Sequence, residues 1–316
     1  MGIPYVSAAD IHRLLSPRQA AAAIADALRA GVEPSRDPAR GVVPLRRGEF
    51  LLMPSQSGSS AGVKVATVAP GNPARGLPRI QAVYVLFDAE TLAPVAILDG
   101  TALTALRTPA VPAAMLAAIA GRFTAPVRLV VFGAGPIGLA VVRAVGAVDG
   151  LRLAGVTVVT RRPERVRLPP EAPVRLLAAH DPAVEQAVRS AGILVCATTA
   201  REPVVHARDV PAGATVIAVG SHEPGARELD GPLLARGTVI VEDTATALRE
   251  AGDVVLAIAE GHLSATDLVP LAEVIRADRT IAPGDTVILK TTGMAWQDLA
   301  VAEAVHRRWL AHGVNL

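Results

Sequence analysis

A chain of 316 residues in which 51% are hydrophobic and the mean hydropathy is +0.40 has enough apolar material for two folded domains, which excludes a disordered protein. Its formal net charge is only +2 and aromatic residues make up 3%, so we expect no nucleic-acid partner. The longest uncharged apolar runs, such as residues 129–142, are shorter than the roughly 20 residues that span a bilayer, so we expect no membrane partner.

Cysteine usage and the N-terminal sequence indicate the compartment. Cys196 is the single cysteine, so no internal disulfide can form, and its position inside "GILVCAT" indicates an inert core residue rather than a nucleophile. The segment "MGIPYVSAADIHRLL" lacks the basic, apolar and small-residue regions of a signal peptide. Both features predict a cytoplasmic protein.

The first third of the chain predicts helices around an antiparallel sheet. Residues 7–30 have the pattern of one amphipathic helix, with Ser7 as N-cap and Gly31 as the stop. Residues 42–98 alternate short β-branched or apolar runs with Gly, Pro and Asn turns, which is typical of a meandering antiparallel sheet. A helix over 108–120 follows.

From residue 127 onward, apolar strands alternate with glycine turns and alanine-rich helices. The strands are "VRLVVF", "GVTVVT", "GILVCAT", "TVIAVG" and "TVIVED", and a last strand and a long helix follow Gly284. Buried strands separated by helices indicate a doubly wound parallel sheet of the α/β class.

The segment "VRLVVFGAGPIGLAVVRAV" has the sequence of a dinucleotide-binding turn. Gly133, Gly135 and Gly138 form G-x-G-x-x-G directly between a strand and a helix, and Pro136 falls in the first helical turn. The first glycine permits the tight turn, the second lets a pyrophosphate approach the backbone, and the third packs the helix on the strand. With a second strand at 155–160, this context predicts a nicotinamide dinucleotide as cofactor.

The end of that second strand indicates which dinucleotide is preferred. An NAD site usually places Asp or Glu there to bind the ribose 2′-hydroxyl, whereas this chain has Thr160, Arg161 and Arg162. A hydroxyl and two guanidinium groups suit a 2′-phosphate, so we expect NADPH to be preferred, with NADH possible. The alternative is an ordinary solvated basic loop.

A further charged residue lies in an apolar context. Arg107 in "TALTALRTPAVPAAMLAA" leads into a helix made of small apolar side chains, and a buried guanidinium is costly unless an anion meets it. Arg40 precedes a strand and Lys64 lies inside one. Together these three cations could bind a small carboxylate, with arginine contacting it in bidentate fashion.

At these residues the chain resembles the ornithine cyclodeaminase/mu-crystallin family. The motifs that carry the resemblance occur in the family's order and cover nearly the whole chain: "ARGVVPL", "FLLMPSQ", "GVKVATVAPGNPARGLPRIQA", "LDGTALTALRTPA", "VVFGAGPIGLA", "ILVCATTA", "GSHEPGARELD" and "LKTTGMAWQDLAVA". The resemblance implies a homodimer. It also implies a Rossmann dinucleotide-binding domain over 121–289, and an α+β substrate-binding and dimerisation domain over 1–120 completed by 290–316.

The resemblance also implies roles for individual residues. Those implied to hold the substrate carboxylate are Arg40, Lys64 and Arg107. Those implied to lie at the cofactor are Arg107, Gly133, Gly135, Pro136, Ile137, Gly138, Thr198, Thr199, Val219, Gly220, Ser221 and Thr291, to which the residues alone add Thr160, Arg161 and Arg162. Thr291 replaces the family's usual serine.

Three departures from the family pattern bear on the activity. His222 stands where cyclodeaminases carry an aspartate that handles the amine proton, Ala226 where a lysine is usual, and Arg79 where a small hydroxyl residue is common. The reductases and dehydrogenases of the family tolerate variation at these points. The departures therefore favour reduction over cyclodeamination.

These observations predict an NAD(P)H-dependent oxidoreductase acting on the C=N or C–N bond of a small imino or amino acid, as a ketimine reductase or an amino-acid dehydrogenase. Lys64 would hold the substrate and polarise the imine, with its pKa lowered by the neighbouring arginines, and His222 or a water would relay the proton. One alternative is a cyclodeaminase-type lyase that releases ammonia and recycles NAD; another is a catalytically silent NADPH-binding protein. His12, His206 and His262 lack ligand spacing, so we expect no metal.

Overall fold

The computed structural model describes residues 2–167 and 174–312. Its strands are β1 Tyr5–Val6, β2 Gly41–Leu45, β3 Gly48–Ser57, β4 Ser60–Val68, β5 Ile80–Asp88, β6 Pro94–Asp99, β7 Val127–Phe132, β8 Leu153–Thr160, β9 Val174–Ala178, β10 Ile193–Cys196, β11 Thr215–Ala218, β12 Thr238–Val241, β13 Leu268–Pro270 and β14 Val287–Lys290. Its α-helices are α1 Ala8–Leu14, α2 Pro17–Arg29, α3 Gly100–Ala118, α4 Pro136–Gly146, α5 Ala183–Arg189, α6 Gly231–Ala235, α7 Thr244–Glu250, α8 Gly252–Ala259, α9 Leu271–Arg276 and α10 Ala295–Ala311.

The chain divides into two compact units. As far as these ranges are described, unit 1 is formed by Met1–Val111 together with Met294–Leu316, and unit 2 by Pro112–Gly293. The first boundary falls inside α3, and the C-terminal helix α10 belongs to unit 1. No helix within the described part of the chain is long and apolar enough to cross a membrane.

Unit 1 is built on a six-stranded sheet in the order β1-β6-β5-β4-β3-β2. The pairs from β2 to β6 are antiparallel, as the meander pattern predicts, and β1 adds a short parallel edge to β6. Buried residues alternate along β4, with Lys64 and Ala66 on the covered face, and α10 packs against β3 and β4. This alternation places Lys64 on the inner face of the sheet, beneath the C-terminal helix.

The N-terminal helix differs from the prediction of a single helix over 7–30. Ser7 caps α1 as expected, with its hydroxyl accepting from the N–H of Asp10, but α1 ends at Leu14. Ser16 then caps a second helix in which Pro17 is the first residue. The prediction was wrong because a second capping residue followed by proline, a start signal for a new helix, lies inside the amphipathic pattern.

The helix that carries Arg107 begins eight residues earlier than predicted. Its start is capped by Asp99, whose Oδ1 accepts from the N–H of Ala102 at 2.9 Å. Pro109 and Pro112 therefore lie inside α3 instead of marking its first turn. Arg107 in consequence projects from the third turn of a helix and not from the loop before it.

Unit 2 contains an eight-stranded sheet in the order β13-β12-β14-β11-β10-β7-β8-β9, with every pair parallel. The run β9-β8-β7-β10-β11 has the 3-2-1-4-5 order of a Rossmann sheet, so the predicted α/β, doubly wound class is confirmed. One face of the sheet packs on α5, α6, α7 and α8 through Val188, Leu233, Leu234, Ala247 and Val254. Two strands of this sheet, β9 and β13, were not predicted from the sequence.

Candidate active site

The turn between β7 and α4 holds the three glycines of the G-x-G-x-x-G motif in three different environments. Gly133 has a φ of 105°, a left-handed conformation that favours glycine, and a Cβ there would overlap the carbonyl of Ala197. A Cβ at Gly138 would overlap the carbonyl oxygen of Gly133, so α4 packs tightly on the turn. Gly135, by contrast, has open space where a Cβ would project. The turn thus leaves room for a ligand group at Gly135.

The N-terminus of α4 fits an anionic ligand. Pro136 and Ile137 are its first two residues, and the N-cap, Gly135, has no side chain to accept from the first turn. The N–H groups of that turn therefore remain available to an anion, and they carry the positive end of the helix dipole. The open glycine turn and the uncapped helix fit the pyrophosphate of a dinucleotide.

Thr160, Arg161 and Arg162 lie at the end of β8 and directly after it. Both arginines are exposed, and neither forms an ion pair with any residue in 2–167 or 174–312. The hydroxyl of Thr160 accepts from the backbone N–H of Arg162 at 3.4 Å. A hydroxyl-bearing residue and two exposed arginines thus follow one another at the end of β8, while their contact with a 2′-phosphate stays a prediction.

The segments after β10 and β11 are joined by one buried carboxylate. Glu228 is fully buried; its Oε1 accepts from the N–H and hydroxyl of Thr198 at 2.7 and 2.8 Å, and its Oε2 accepts from the N–H of Gly220 at 2.7 Å. Burial raises the pKa of this carboxyl, and the charge of Lys290 opposes the shift. A Cβ at Gly220 would overlap the Thr198 carbonyl. Glu228 therefore fixes the segments that the resemblance places at the cofactor.

A second buried pair holds Ser221. Lys290 Nζ lies 3.1 Å from Asp253 Oδ2 and donates to the carbonyl of Ser221 at 2.6 Å, and both charged side chains are inaccessible to solvent. Asp253 Oδ1 in turn accepts the backbone N–H groups of Glu228 and Leu229 at 2.7 and 2.9 Å. A continuous network of polar contacts thus holds the loop that follows β11 in place.

The other residues assigned to the cofactor occupy the same end of the unit 2 sheet. Val219 donates its N–H to the carbonyl of Cys196, and Thr291 donates its N–H to that of Ala218. Thr199 and His222 are exposed, each in the loop after its strand. Cys196 itself is fully buried, and burial raises the pKa of its thiol well above the usual value. This cysteine is therefore a core residue.

In unit 1, Lys64 and Arg107 converge on one carboxylate. Lys64 Nζ lies 2.7 Å from Asp298 Oδ2, and Arg107 Nε lies 3.1 Å from Asp298 Oδ1. Arg107 Nη1 also donates to Gln297 Oε1 at 3.0 Å. All four side chains are buried, with Lys64 2% and Arg107 6% exposed. We call Lys64, Arg107, Gln297 and Asp298 the clamp cluster.

The clamp cluster corrects one expectation. The apolar context of Arg107 predicts an anion opposite it, which we expected to be a substrate carboxylate aided by cofactor phosphate. The anion that the structure places there is Asp298, a residue of the chain itself. Asp298 was not expected there because it lies 191 residues from Arg107 in the sequence, and only the packing of α10 in unit 1 brings the two together. Contact between a substrate carboxylate and Arg107 stays a prediction.

The pKa of Lys64 is lowered to about 8, mainly by burial and next by the charge of Arg107. Asp298 opposes the shift through its charge and its hydrogen bond, and Arg40 adds a smaller lowering contribution. The sequence predicted that the pKa of Lys64 is lowered, but burial of the ammonium lowers it more than the charges of the arginines do. Arg40 precedes β2 and is half-buried, and it is close enough for its charge to affect Lys64.

Sequence reasoning did not select Gln297, Asp298, Glu228 or Asp253. A signal existed for Asp298, because "MAWQDLAVA" places a carboxylate inside an apolar helical run, the same kind of pattern that drew attention to Arg107. The partners of Glu228 and Asp253 are mostly backbone N–H groups, which leave no mark in the sequence.

One unit of the chain contains a Rossmann sheet with an open glycine turn, and the other is an α+β unit with a buried cationic cluster. These features define a dinucleotide-binding α/β protein of two units. The chain belongs to the ornithine cyclodeaminase/mu-crystallin family, whose model matches residues 5–313, and the predicted resemblance is confirmed.

Relatives and solved structures support the same assignment. The chain is 29% identical to an alanine dehydrogenase of Archaeoglobus fulgidus, covering 97% of this chain and 95% of that protein. It is 30% identical to the ketimine reductase mu-crystallin of Rattus norvegicus over 86% and 85% of the two chains. A solved Thermococcus litoralis Δ1-pyrroline-2-carboxylate reductase, in complex with NADH and L-proline, matches with a TM-score of 0.86 and 25% identity over 99% of each chain. These proteins are oxidoreductases of the kind that the sequence analysis predicts.

Proposed function

We propose that this protein is a nicotinamide-dependent oxidoreductase that reduces the C=N bond of a small imino carboxylate or interconverts an amino and an oxo acid. The observation that carries the proposal is the charge of the clamp cluster. Among the described residues of unit 1, the buried charged side chains are Lys64, Arg107 and Asp298, which sum to one net positive charge. A buried net charge is costly, and one substrate carboxylate would neutralise it.

Arg107 is oriented to share that carboxylate. Its Nε and Nη1 donate to Asp298 and Gln297, so the guanidinium plane is fixed by two acceptors on α10. A planar group held in this way is pre-organised for a carboxylate at its remaining N–H donors. We assign Arg107 and Lys64 to substrate binding, with Arg40 as a third, half-buried cation beside them.

Lys64 is the group we assign to proton transfer. A pKa of about 8 lets the ammonium give up a proton near neutral pH, which an ordinary lysine does poorly. As hydride adds to the imine carbon, the π electrons move to nitrogen, and a proton from Lys64 Nζ forms the new N–H bond. Lys64 is left as a neutral amine and regains its proton from water.

The cofactor would be held in unit 2. Gly133, Gly135 and the first turn of α4 fit the pyrophosphate, and the segments fixed by Glu228 and Lys290 support the nicotinamide side. When bound, the reduced nicotinamide supplies the hydride. We propose that Arg161 and Arg162 favour NADPH, since each charge-assisted contact to a 2′-phosphate contributes about 1.5–3 kcal/mol.

His222 favours reduction over cyclodeamination. A neutral imidazole cannot supply the fixed negative charge that stabilises a substrate ammonium during deamination, although it can relay a proton. Its exposed position after Ser221 leaves the ring accessible to solvent and to a substrate. We propose that His222 or a water relays the proton.

We further propose a homodimer formed through unit 1. The sheet face opposite Lys64 carries apolar residues across neighbouring strands: Tyr5, Ile97, Val85, Val63, Val65, Val83, Leu52, Phe50 and Val43. Tyr5 is 56% and Val83 45% exposed. An antiparallel sheet with one face in water normally alternates apolar and polar residues, so this second apolar face suits a copy of the chain.

The test is a substrate screen with two readouts. Small cyclic and linear imino acids are incubated with NADPH or NADH, and cofactor oxidation and ammonia release are measured together. We expect cofactor consumption equal to product formed, tighter binding of NADPH than of NADH, and loss of that difference in Arg161→Ala/Arg162→Ala. Ammonia released from ornithine without net cofactor change would instead establish a cyclodeaminase.

A further inference from the structure

The chain contains two lysines, Lys64 and Lys290, among its 31 basic residues. Each is at most 2% exposed, and each faces an aspartate, Asp298 in unit 1 and Asp253 in unit 2. Surface positions, where lysine is ordinarily common, use arginine throughout this sequence. Arginine stays charged in proteins, whereas a buried lysine can lose its proton, so a lysine can act as a group that changes its protonation state.

Lys64 and Lys290 differ in what surrounds their ion pairs. Lys290 also donates to the Ser221 carbonyl, so backbone and carboxylate both hold it in place. Lys64 donates to the Asp298 carboxylate, and that same carboxylate also accepts from Arg107. One fully buried anion therefore serves two buried cations.

We propose that Asp298 is a positioning residue that holds Lys64 Nζ in place as the charged proton donor and divides its carboxylate between Lys64 and Arg107. The proposal rests on the proposed function, because Lys64 is the proton donor of that reaction. A substrate carboxylate that binds Arg107 would add a second anion to the cluster. The pKa of Lys64 would then be higher with substrate bound than without it.

The charged and titratable groups around Lys64 come from several elements. Arg107 on α3 and Arg40 before β2 lower the pKa of Lys64, and Asp298 on α10 raises it. Tyr84 lies directly opposite Lys64 on β5; its own pKa is raised by burial, so the phenol stays neutral. Asp37 and Glu303 act on Tyr84 through their charge. Asp298 is the anion that contacts Lys64, so its removal must lower the pKa of Lys64.

The experiment follows Lys64 directly by nuclear magnetic resonance. With two lysines in the chain, protein labelled with ¹⁵N at lysine Nζ gives two side-chain signals, and Lys64→Met assigns them. We expect the titration midpoint of Lys64 to fall by about 1–3 pH units in Asp298→Asn, the shift that an adjacent opposite charge typically produces. The Lys290 signal should not move, which reports that the variant is folded. Asp26→Asn, which removes an exposed carboxylate of α2, is the matched control.

Activity supplies the second readout. The alkaline limb of the kcat/KM profile should move by the same number of pH units as the Lys64 midpoint. An unchanged midpoint in a folded Asp298→Asn variant would overturn the proposal. A shifted midpoint in a protein that reduces no imino acid would leave the coupling intact and refute the proposed function instead.

A second variant keeps the test decisive if Asp298→Asn does not fold. Arg107→Gln removes the competing cation and leaves the whole Asp298 carboxylate to Lys64. The midpoint of Lys64 must then rise above that of the wild type. A midpoint that falls or does not change would show that Asp298 is not shared between the two cations.

Discussion

Lys64 and Tyr84 lie directly opposite each other on β4 and β5, and the Tyr84 hydroxyl is fully buried without a hydrogen-bond partner among the described residues. The ring extends over Gly62, where a Cβ would overlap the phenol. A buried unsatisfied hydroxyl costs about 1–3 kcal/mol, so Tyr84→Phe should leave the free energy of unfolding unchanged or raise it by about 1 kcal/mol. Urea unfolding measures this. A destabilised Tyr84→Phe would reveal a partner for the hydroxyl, and Gly62→Ala, which crowds the ring, should destabilise clearly.

The pH dependence of turnover follows from Lys64. Its pKa of about 8 means that the ammonium predominates below pH 8 and the neutral amine above it. We therefore expect kcat/KM to fall as the pH rises through about 8. Below pH 8, the ionisation of Lys64 should leave kcat/KM independent of pH. Lys64→Arg keeps the positive charge but cannot release a proton, so it should still bind carboxylates while turnover is lost. A pH profile without an alkaline limb near 8 would remove Lys64 from the proton transfer.

The sequence predicted the parts of the fold that depend on local pattern. The strands of the meander and the β7 to α4 turn follow from alternation and from glycine spacing. The insertion of β14 between β11 and β12 is a long-range pairing with no local signal. The strand β9 was missed because it is only partly buried along its length, and β13 because it is three residues long.

The residues of the candidate site that have a local sequence signal were also predictable. Arg107 and Lys64 stood out because a charge inside an apolar run needs a partner. The identity of that partner was not predictable, since Asp298 meets them only through the packing of α10 on the unit 1 sheet. A charged residue inside an apolar run thus indicates that its side chain is paired in the folded protein. The tertiary structure determines which residue is its partner.

The shared carboxylate predicts an order of stabilities for two variants of the clamp cluster. Arg107→Ala leaves Lys64 to neutralise Asp298, so we expect it to lower the free energy of unfolding by about 1–3 kcal/mol and to abolish most turnover. Asp298→Asn leaves Arg107 buried without its carboxylate and makes Lys64 either bury an unpaired charge or lose its proton, so it should cost more, about 3–5 kcal/mol. Urea unfolding of both variants, with Asp26→Asn as the exposed control, measures the order. A larger loss in Arg107→Ala than in Asp298→Asn would contradict the sharing of one carboxylate.

The loop after β11 offers a matched pair of glycines for testing the cofactor site. Gly220 donates its N–H to Glu228, and a Cβ there would overlap the Thr198 carbonyl and crowd Glu228 Oε1. At Gly225, in the same loop, the nearest atom to a Cβ is the flexible end of Arg201 at 3.8 Å. Gly220→Ala must therefore displace the segments that Glu228 joins, and we expect at least a tenfold loss of NADPH affinity, equivalent to about 1.4 kcal/mol. Gly225→Ala should bind within about twofold of the wild type. Fluorescence titration of the bound nicotinamide measures both. Equal affinities in the two variants would show that the network around Glu228 does not support the cofactor.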